Sequence, residues 1–366
     1  MSRFCTAPWI GISTDVNGSI RPCCRYEQPN RQTKYKMPWM KDGTLDQLYN
    51  GPEMKALRQA FLNGEEPEEC NWCWKEEASG ILSFRQMYHK KWDIEYDLEN
   101  PLPQLLDLKL SNVCNLKCRM CGPQASSSIA KELNITNPYY LENKIIATNN
   151  ESIFFEEILP NLKYLELTGG EPFYSPENKK LIKAVSETEY AKNIFLKITT
   201  NGMFKDISIL DSMKNFKSVD LVFSVDDVGE RLEYARSNSN WETIQNNIFS
   251  IYNSYPQFNV IVYRTINNFN IYYLDELDSW CNQNKIQIEN GLLHEAKYLS
   301  IQYLPEFAKR EVSEKFKDKY KHILDFMNTD TEHKLVEFHN QTYFLDKLRK
   351  EDFENTFKEW AEILIW

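Results

Sequence analysis

The chain has 366 residues and a formal net charge of −10. That length is enough for one α/β domain of barrel size with a smaller companion, and the acidic balance argues against duplex nucleic acid, which requires a basic face. No run of about 18 apolar residues occurs, and the N-terminus lacks the pattern of a secretion signal. We therefore expect a cytoplasmic protein with no membrane or nucleic-acid partner, acting on a small molecule or a peptide.

Residues 1–95 show little hydrophobic periodicity and many turn residues, so this part is expected to need a metal to fold. Charged residues and prolines over residues 92–103 mark a joint. Beyond it, short β-type runs alternate with helical patterns, which indicates parallel βαβ units. Amphipathic charged segments follow. We predict a cysteine-rich module over 1–95, a barrel over 103–300 and peripheral helices over 301–366.

Six strands are predicted in the barrel part, which places the chain in the α/β class. Most are nearly continuous apolar runs, typical of parallel strands covered by helices. Polar and glycine residues follow their carboxyl ends, where barrels place their chemistry. The predicted strands are residues 105–110, 164–170, 195–202, 220–226, 259–266 and 286–293.

The nine cysteines are many for a reducing compartment, where clustered thiols indicate metal binding or catalysis before disulfides. Five lie in the first fifth of the chain and three lie in CNLKCRMC, residues 114–121. Cys281 stands alone in a predicted helix, where a packed core thiol is the first expectation and a hydrogen-atom donor the second.

The spacing of Cys114, Cys118 and Cys121 is C-x3-C-x2-C, directly after the first predicted strand. Three thiolates at this spacing can reach three corners of a cubane iron-sulfur cluster. The fourth iron would remain open, and an open metal position indicates chemistry, because structural sites close their shells. The alternatives are a zinc site completed by a distant residue and a surface cluster of reduced cysteines.

This loop resembles the signature of the radical S-adenosylmethionine (radical SAM) superfamily, and further motifs follow in order at the predicted strand ends. TGGEP (168–172) resembles the GGE motif of the superfamily, and TTNG (199–202) resembles its Thr-Asn-Gly turn. FSVDDVGERLEYAR (223–236) and YRTINNFN (263–270) resemble segments of its sulfatase-maturase and peptide-modifying branch. The resemblance implies a partial (β/α)6 TIM barrel with SAM contacts at Met120, Gly169, Gly170, Glu171, Thr200, Asn201, Ser224, Asp226 and Arg236.

One position departs from the pattern of the superfamily. The residue before the third cysteine is usually aromatic there, and this chain has Met120. The superfamily uses this position partly through its backbone toward adenine, so a flexible apolar methionine can serve.

The resemblance also implies the chemistry of the open position. SAM would supply the missing ligands through its amino and carboxylate groups, and an electron from the cluster would cleave it to a 5′-deoxyadenosyl radical. That radical would abstract hydrogen from a substrate carbon, with a flavodoxin or ferredoxin as electron donor. The resemblance identifies no further catalytic residue.

The N-terminal cysteines form a second pattern, C-x12-G-x4-C, from Cys5 through Gly18 to Cys23, followed by Cys70 and Cys73 in CNWCW. The pattern resembles the opening of SPASM and twitch modules, which bind auxiliary [4Fe-4S] clusters, although such modules normally follow the barrel. The resemblance implies one closed cluster on these four cysteines, and a structural zinc on the same four is the alternative. The adjacent Cys24 could be a spare ligand, a replacement for Cys23 or a buried small residue.

Two other features near the predicted barrel mouth carry weaker signals. Residues 132–160 form an insertion that could close over the site or remain on the surface. His294 follows the last predicted strand, where a lone histidine is more often structural.

Three functions compete on these observations. The first is radical modification of a peptide or protein side chain by crosslinking, oxidation or epimerisation. The second is dehydrogenation of a sugar, alcohol or aminocyclitol by the same chemistry; the lack of a visible leader-peptide-binding domain before Cys5 weakens the first function relative to it. The third is a non-catalytic metal-binding barrel, which does not explain why GGE, TNG and SVD all follow predicted strands.

Overall fold

The computed structural model describes residues 3–16, 18–27, 34, 37–38, 43–78, 80, 82–91, 95–135, 154–294 and 296–364. Within these ranges the chain is an α/β protein whose longer strands are mostly parallel. The strands are β1 Gly11–Thr14, β2 Ile20–Arg21, β3 Leu105–Leu108, β4 Lys117–Cys118, β5 Tyr164–Leu167, β6 Phe195–Thr200, β7 Ser218–Ser224, β8 Arg236–Ser237, β9 Phe258–Ile266 and β10 Gln287–Leu292.

Helices connect and follow these strands. Those before β7 are α1 Ala7–Ile10, α2 Leu45–Tyr49, α3 Pro52–Leu62, α4 Asn71–Ala78, α5 Phe84–Lys91, α6 Ser127–Glu132, α7 Pro176–Ser186 and α8 Ile209–Met213. Those after β7 are α9 Gly229–Ala235, α10 Trp241–Ser254, α11 Leu274–Gln283, α12 Glu306–Phe316, α13 Lys321–Met327, α14 Leu335–Arg349, α15 Phe353–Thr356 and α16 Lys358–Ile363. None of the helices that the structure describes is long and apolar enough to cross a membrane.

All six predicted barrel strands are present, as β3, β5, β6, β7, β9 and β10. Five of them, all but β9, end earlier than predicted, because the residues at their carboxyl ends form loops. The predicted α/β fold class is confirmed. Most of the predicted insertion, residues 136–153, lies outside the described residues.

The chain divides into two compact units. The first is Met1–Cys114, Pro123–Thr199 and Phe204–Asp220, and the second is Asn115–Gly122, Thr200–Met203 and Leu221–Trp366. The three-part division predicted from the sequence stays a prediction.

The first unit contains a sheet in the order β2-β1-β3-β5-β6, continued by the first residues of β7. β1 is parallel to β3, with Gly11 opposite Leu105, and β3 is parallel to β5. Neither β1 nor β2 was predicted. The N-terminal module therefore extends the same sheet as the first barrel strands, and one face of this sheet carries buried leucines such as Leu106 and Leu165.

The second unit contains the end of β7, then β9 and β10, which are parallel in register from Gln287 opposite Ile261 to Leu292 opposite Ile266. It also holds an antiparallel ribbon of β4 and β8. Its helices pack through an aromatic core that includes Phe269 and Trp360, whose indole nitrogen donates a 2.6 Å hydrogen bond to the Asn268 carbonyl.

Candidate functional site

The GGE motif lies in a close backbone contact within the first unit. Gly170 N donates to the Ser111 carbonyl at 3.0 Å, and Glu171 N donates to the Val113 carbonyl at 2.7 Å. A Cβ on Gly170 would stand 2.3 Å from the Val113 oxygen, so only glycine permits this approach. Gly169 has a φ of 90°, in the region that favours glycine. The motif thus holds the backbone that leads into Cys114.

Glu171 is 1% exposed, and its carboxylate accepts a 3.1 Å hydrogen bond from Phe173 N. Cys114 is fixed by the start of α6: its N–H donates to Ser127 Oγ at 3.1 Å, and its carbonyl accepts from Ser128 Oγ at 2.7 Å. The first unit therefore brings the predicted cysteine and the start of α6 together through short hydrogen bonds.

In the second unit, Cys118 lies in the β4–β8 ribbon opposite Arg236. Arg236 Nη1 is 3.8 Å from Cys118 Sγ, and Arg236 Nε donates to Asp226 Oδ2 at 2.7 Å. The other oxygen of Asp226 accepts from Thr265 N at 2.9 Å, and its carbonyl accepts from the Asn270 side chain. The structure therefore brings three predicted site residues into one buried chain of thiol, guanidinium and carboxylate.

This environment favours the thiolate of Cys118. A hydrogen bond with Cys121 is the largest effect, and with the charge of Arg236 it outweighs burial and lowers the pKa of Cys118 to about 7. Metal ligation requires a thiolate, so the residues present fit an iron-sulfur cluster here. Burial alone would lower the pKa of the Arg236 guanidinium, but the negative charges of Asp226 and Cys118 have the larger combined effect and raise it.

The Thr-Asn-Gly turn also belongs to the second unit from Thr200 onward. Asn201 Nδ2 donates to Asn115 Oδ1 at 2.9 Å, so the turn is tied to the cysteine loop. Thr200 Oγ1 accepts from Gly202 N, and Gly202 has a φ of 77° with Phe223 3.1 Å from the place of a Cβ. The turn conformation therefore requires glycine at its third position.

The remaining predicted residues of the second unit are more accessible. Met120 and Ser224 are half-buried, and Cys121 is exposed. Sequence reasoning missed Asn115 and Arg119 in this loop, because nothing in their residue types or spacing distinguishes them from solvated polar side chains.

The four N-terminal cysteines line one small apolar cavity of the first unit. Cys5 and Cys73 are buried, and Cys23 and Cys70 are half-buried. Burial raises the pKa of Cys5 to about 12, so these thiols would remain protonated without a metal. No group of three or more His, Cys, Asp or Glu side chains in the described ranges could hold a single metal ion. Four cysteines around one cavity are the ligand type and number that close an iron-sulfur cluster, and they are also those of a structural zinc.

Cys24 does not share that environment. Burial is the largest cause that raises the pKa of its thiol, and the charges of Asp107, Cys23 and Glu166 follow. Its neighbours therefore include two carboxylates on the polar face of the sheet. Tyr88 also lines the cysteine cavity. Burial is the largest cause that raises the pKa of its hydroxyl, and the charges of Cys23, Cys24 and Asp107 follow.

The two carboxylates belong to a set that we call the polar row: Ser13, Asp107, Glu166 and Lys197 on the adjacent strands β1, β3, β5 and β6. All four lie opposite one another in register. Ser13 Oγ donates to Asp107 Oδ2 at 2.9 Å, and Lys197 Nζ lies 2.9 Å from Glu166 Oε1. Tyr164 also donates to Glu166, at 2.9 Å. Sequence reasoning missed the row, since each member is a single polar residue inside an apolar run.

The polar row predicts a pH dependence of stability. Burial and the neighbouring Glu166 raise the pKa of Asp107 to about 6. Because its unfolded pKa is near ~4, the folded state binds this proton more tightly, and stability falls as pH rises from about 4 through about 6. We expect Asp107→Asn to raise the free energy of unfolding, relative to the natural chain, by on the order of 2 kcal/mol above pH 6 and by almost nothing near pH 4.

Urea unfolding of both proteins between pH 4 and 8 measures this difference. Asp97→Asn is the control, because backbone hydrogen bonds from Asn100 and Glu99 lower the pKa of the exposed Asp97. Because that lowered pKa lies below the unfolded value near ~4, any loss of stability in the control is already present at pH 4 and should vary little up to pH 8, whereas Asp107→Asn gains stability over this range. A difference for Asp107→Asn that does not vary with pH would contradict the raised pKa.

Other candidate residues lie apart from these groups. His294 packs edge-on against Phe326, at 5.1 Å between ring centroids, and Cys281 is wholly buried on α11. A larger open cavity of the first unit lies at the amino ends of β3, β5 and β6 and is lined by residues such as Tyr96, Leu102 and Lys163. It contains none of the predicted site residues.

Comparison with known proteins gives two family matches. Residues 108–270 match the radical SAM superfamily, and residues 5–74 match SPASM, an iron-sulfur cluster-binding domain. GTP 3′,8-cyclase of Aquifex aeolicus (strain VF5) is 33% identical over 109 residues, which are 29% of this chain and 30% of that enzyme. The match thus spans less than a third of the length of this curated relative.

Solved structures show more distant similarity. Histidine-tagged anSMEcpe with bound AdoMet has 17% identity and a TM-score of 0.44, with 72% of this chain and 78% of that chain covered. Native anSMEcpe with bound AdoMet and the Cp18Cys peptide has 16% identity and a TM-score of 0.39, with 62% of each chain covered. SuiB of Streptococcus suis bound to the precursor peptide SuiA has 16% identity and a TM-score of 0.37, with 70% of this chain and 60% of that chain covered.

The match over 108–270 identifies a domain of the radical SAM superfamily in this chain. More particularly, this domain follows a SPASM-type iron-sulfur domain over 5–74. The superfamily implies a [4Fe-4S] cluster with SAM, and the SPASM domain implies auxiliary iron-sulfur clusters. The predicted cofactors are confirmed at this level, and iron-sulfur is favoured over zinc for the N-terminal cysteines.

Proposed function

We propose that this protein uses SAM to remove a hydrogen atom from a peptide or protein side chain, as a step in oxidation, crosslinking or epimerisation. Cys114, Cys118 and Cys121 would hold the SAM-binding [4Fe-4S] cluster. When bound, the cluster and SAM supply a 5′-deoxyadenosyl radical that abstracts hydrogen from the substrate. The observation that carries this proposal is the buried chain of Cys118, Arg236 and Asp226, which keeps a thiolate available in the loop with the superfamily spacing.

The other predicted site residues would bind SAM and orient it. Gly169, Gly170 and Glu171 would meet the methionyl amino group, with Glu171 buried and already aligned by Phe173 N. The remaining SAM contacts would come from Met120, Thr200, Asn201, Ser224, Asp226 and Arg236. Asp226 and Arg236 already have partners, so their contribution is a fixed orientation rather than a free charge.

Cys5, Cys23, Cys70 and Cys73 would hold an auxiliary cluster in the cavity that they line. When bound, such a cluster would supply an acceptor for the electron of the substrate radical. Tyr88 lines the same cavity. The electron that initiates the reaction would come from a flavodoxin or ferredoxin.

A peptide is the preferred substrate because residues 223–236 resemble the peptide-modifying branch. The polar row favours a second candidate, dehydrogenation of a sugar, alcohol or aminocyclitol. Ser13, Asp107, Glu166 and Lys197 offer donors and acceptors of the kind that bind hydroxyl and amino groups. Only the substrate differs between the two candidates.

Substrate-stimulated cleavage of SAM separates them. The reconstituted protein is incubated without oxygen with SAM and dithionite, and 5′-deoxyadenosine is quantified by chromatography with and without pooled peptides or pooled polyols and aminocyclitols. We expect basal 5′-deoxyadenosine formation, stimulated by peptides and accompanied by a mass change in one of them. Stimulation by the polyol pool alone would select the second candidate. No 5′-deoxyadenosine at all, from protein with a full complement of iron, would overturn both.

A further inference from the structure

Helix α14, which α15 and α16 follow, contacts the cysteine loop directly within the second unit. Arg349, in the last turn of α14, donates from Nη1 to the Lys117 carbonyl at 2.8 Å and to Ser237 Oγ at 3.1 Å. It therefore bridges both strands of the β4–β8 ribbon that contains Cys118. In the opposite direction, Arg119 of the loop donates to Asp346 of α14 and to Glu351 just beyond it.

Arg119 is deeply enclosed. Its side chain is 1% exposed, and its guanidinium stacks 3.7 Å from the centroid of the Tyr234 ring. Its Nε donates to the Tyr234 carbonyl at 3.2 Å, while Nη1 is buried without a hydrogen-bond partner among the described residues. A guanidinium in such a place depends on the carboxylates of Asp346 and Glu351 for its charge balance.

Asp346 connects this contact to the rest of the unit. It accepts hydrogen bonds from the Tyr234 hydroxyl at 2.7 Å and from Phe353 N at 2.9 Å, in addition to Arg119. Both oxygens of the Asp346 carboxylate therefore accept hydrogen bonds. A movement of α14 would disturb Arg119, which follows Cys118 in the loop. Neither family match reaches α14, because they cover residues 5–74 and 108–270.

We propose that α14 is a latch that sets the position of the cluster-binding loop, with Arg119 as the positioning residue and Asp346, Glu351 and Arg349 as its counterparts. The proposal rests on the proposed function, because it assigns Cys118 and Cys121 to a cluster. It adds that a segment outside both matched domains determines how these thiols are presented to the metal and to SAM.

Amide hydrogen exchange on the iron-free full-length chain tests the latch without any cluster. We expect the double variant Asp346→Asn/Glu351→Gln to exchange the amides of residues 115–122 at least about tenfold faster, because the buried charge of Arg119 loses both carboxylates. In reconstituted protein, the electron paramagnetic resonance spectrum of the reduced cluster with SAM should shift, while that of the auxiliary cluster should not. Arg119→Lys should show the same two changes, since lysine lacks the planar fork.

Glu276→Gln is the matched control, because it removes a carboxylate partner of Arg231 in the same unit and leaves the partners of Arg119, Asp346 and Glu351, unchanged. It should leave the exchange of residues 115–122 and both spectra unchanged. Unchanged exchange in the double variant would overturn the latch. Faster exchange spread equally over the whole unit would also overturn it, since it would show a general loss of stability. Faster loop exchange in a chain that binds no iron at the loop would keep the latch and refute the proposed function.

Discussion

Cys118→Ala is expected to abolish the formation of 5′-deoxyadenosine and to leave about four irons per chain, half the content of the natural protein. Cys118 is the buried thiol of the loop, and its pKa is lowered to about 7 by its hydrogen bond with Cys121 and by Arg236. Alanine removes that ligand and the sulfur that lies beside Arg236. Iron and sulfide analysis after anaerobic reconstitution, with chromatography of SAM cleavage products, measures both effects.

The converse variant is Cys73→Ala, which should lose the auxiliary iron and keep 5′-deoxyadenosine formation. Cys24→Ala is the sharpest control, because Cys24 is the neighbour of a proposed ligand but lies beside Asp107 and Glu166. It should bind the same iron as the natural chain. Loss of all iron from both Cys118→Ala and Cys73→Ala would refute two independent sites, and loss of auxiliary iron from Cys24→Ala would show that the wrong one of the adjacent cysteines was assigned.

The barrel strands could be predicted because burial on both faces makes a parallel strand a continuous apolar run. β9, Phe258–Ile266, approaches this pattern, whereas β6, Phe195–Thr200, alternates buried and half-buried positions and was predicted from its apolar and β-branched residues. The glycines of the GGE and TNG motifs could be assigned to turns for a similar reason: Gly170 has no room for a Cβ, and Gly202 has a positive φ. These features depend on neighbouring residues, so the local sequence is enough to predict them.

The parts that were missed depend on residues that are distant in the sequence. β1 is only four residues long, GIST, and becomes a strand because it pairs with β3 more than ninety positions later. The hydrogen bond of Arg119 to Asp346 joins residues 227 positions apart. No periodic pattern in the sequence indicates that two such distant residues are partners. From a single sequence, Arg119 is therefore indistinguishable from any other charged residue beside a cysteine.

The ion pair of Asp226 and Arg236 leads to the largest expected effect on stability. Asp226 Oδ2 accepts from Arg236 Nε at 2.7 Å, and the side chains are 0% and 9% exposed, respectively. Asp226→Asn keeps the shape but leaves a buried guanidinium without its carboxylate, which costs about 3–5 kcal/mol of the free energy of unfolding. Urea unfolding of the anaerobically purified protein measures the loss, and the variant should also reduce SAM cleavage, because Arg236 would no longer be held beside Cys118.

Two comparison variants distinguish the loss of the Asp226–Arg236 ion pair from a general loss of stability in the segment that follows β7. Asp227→Asn changes the next residue, whose partner Arg231 keeps a second carboxylate, that of Glu276, so its cost should be smaller. The double variant Asp226→Asn/Arg236→Gln removes both charges and should recover part of the stability lost by Asp226→Asn alone. Recovery of stability without recovery of SAM cleavage would show that the pair is needed for the chemistry of the cysteine loop rather than for folding. If the double variant is instead as unstable as the sum of the two single variants, the Asp226 side chain acts mainly through the hydrogen bond from Thr265 N, and the proposed orientation of Arg236 toward Cys118 does not depend on it.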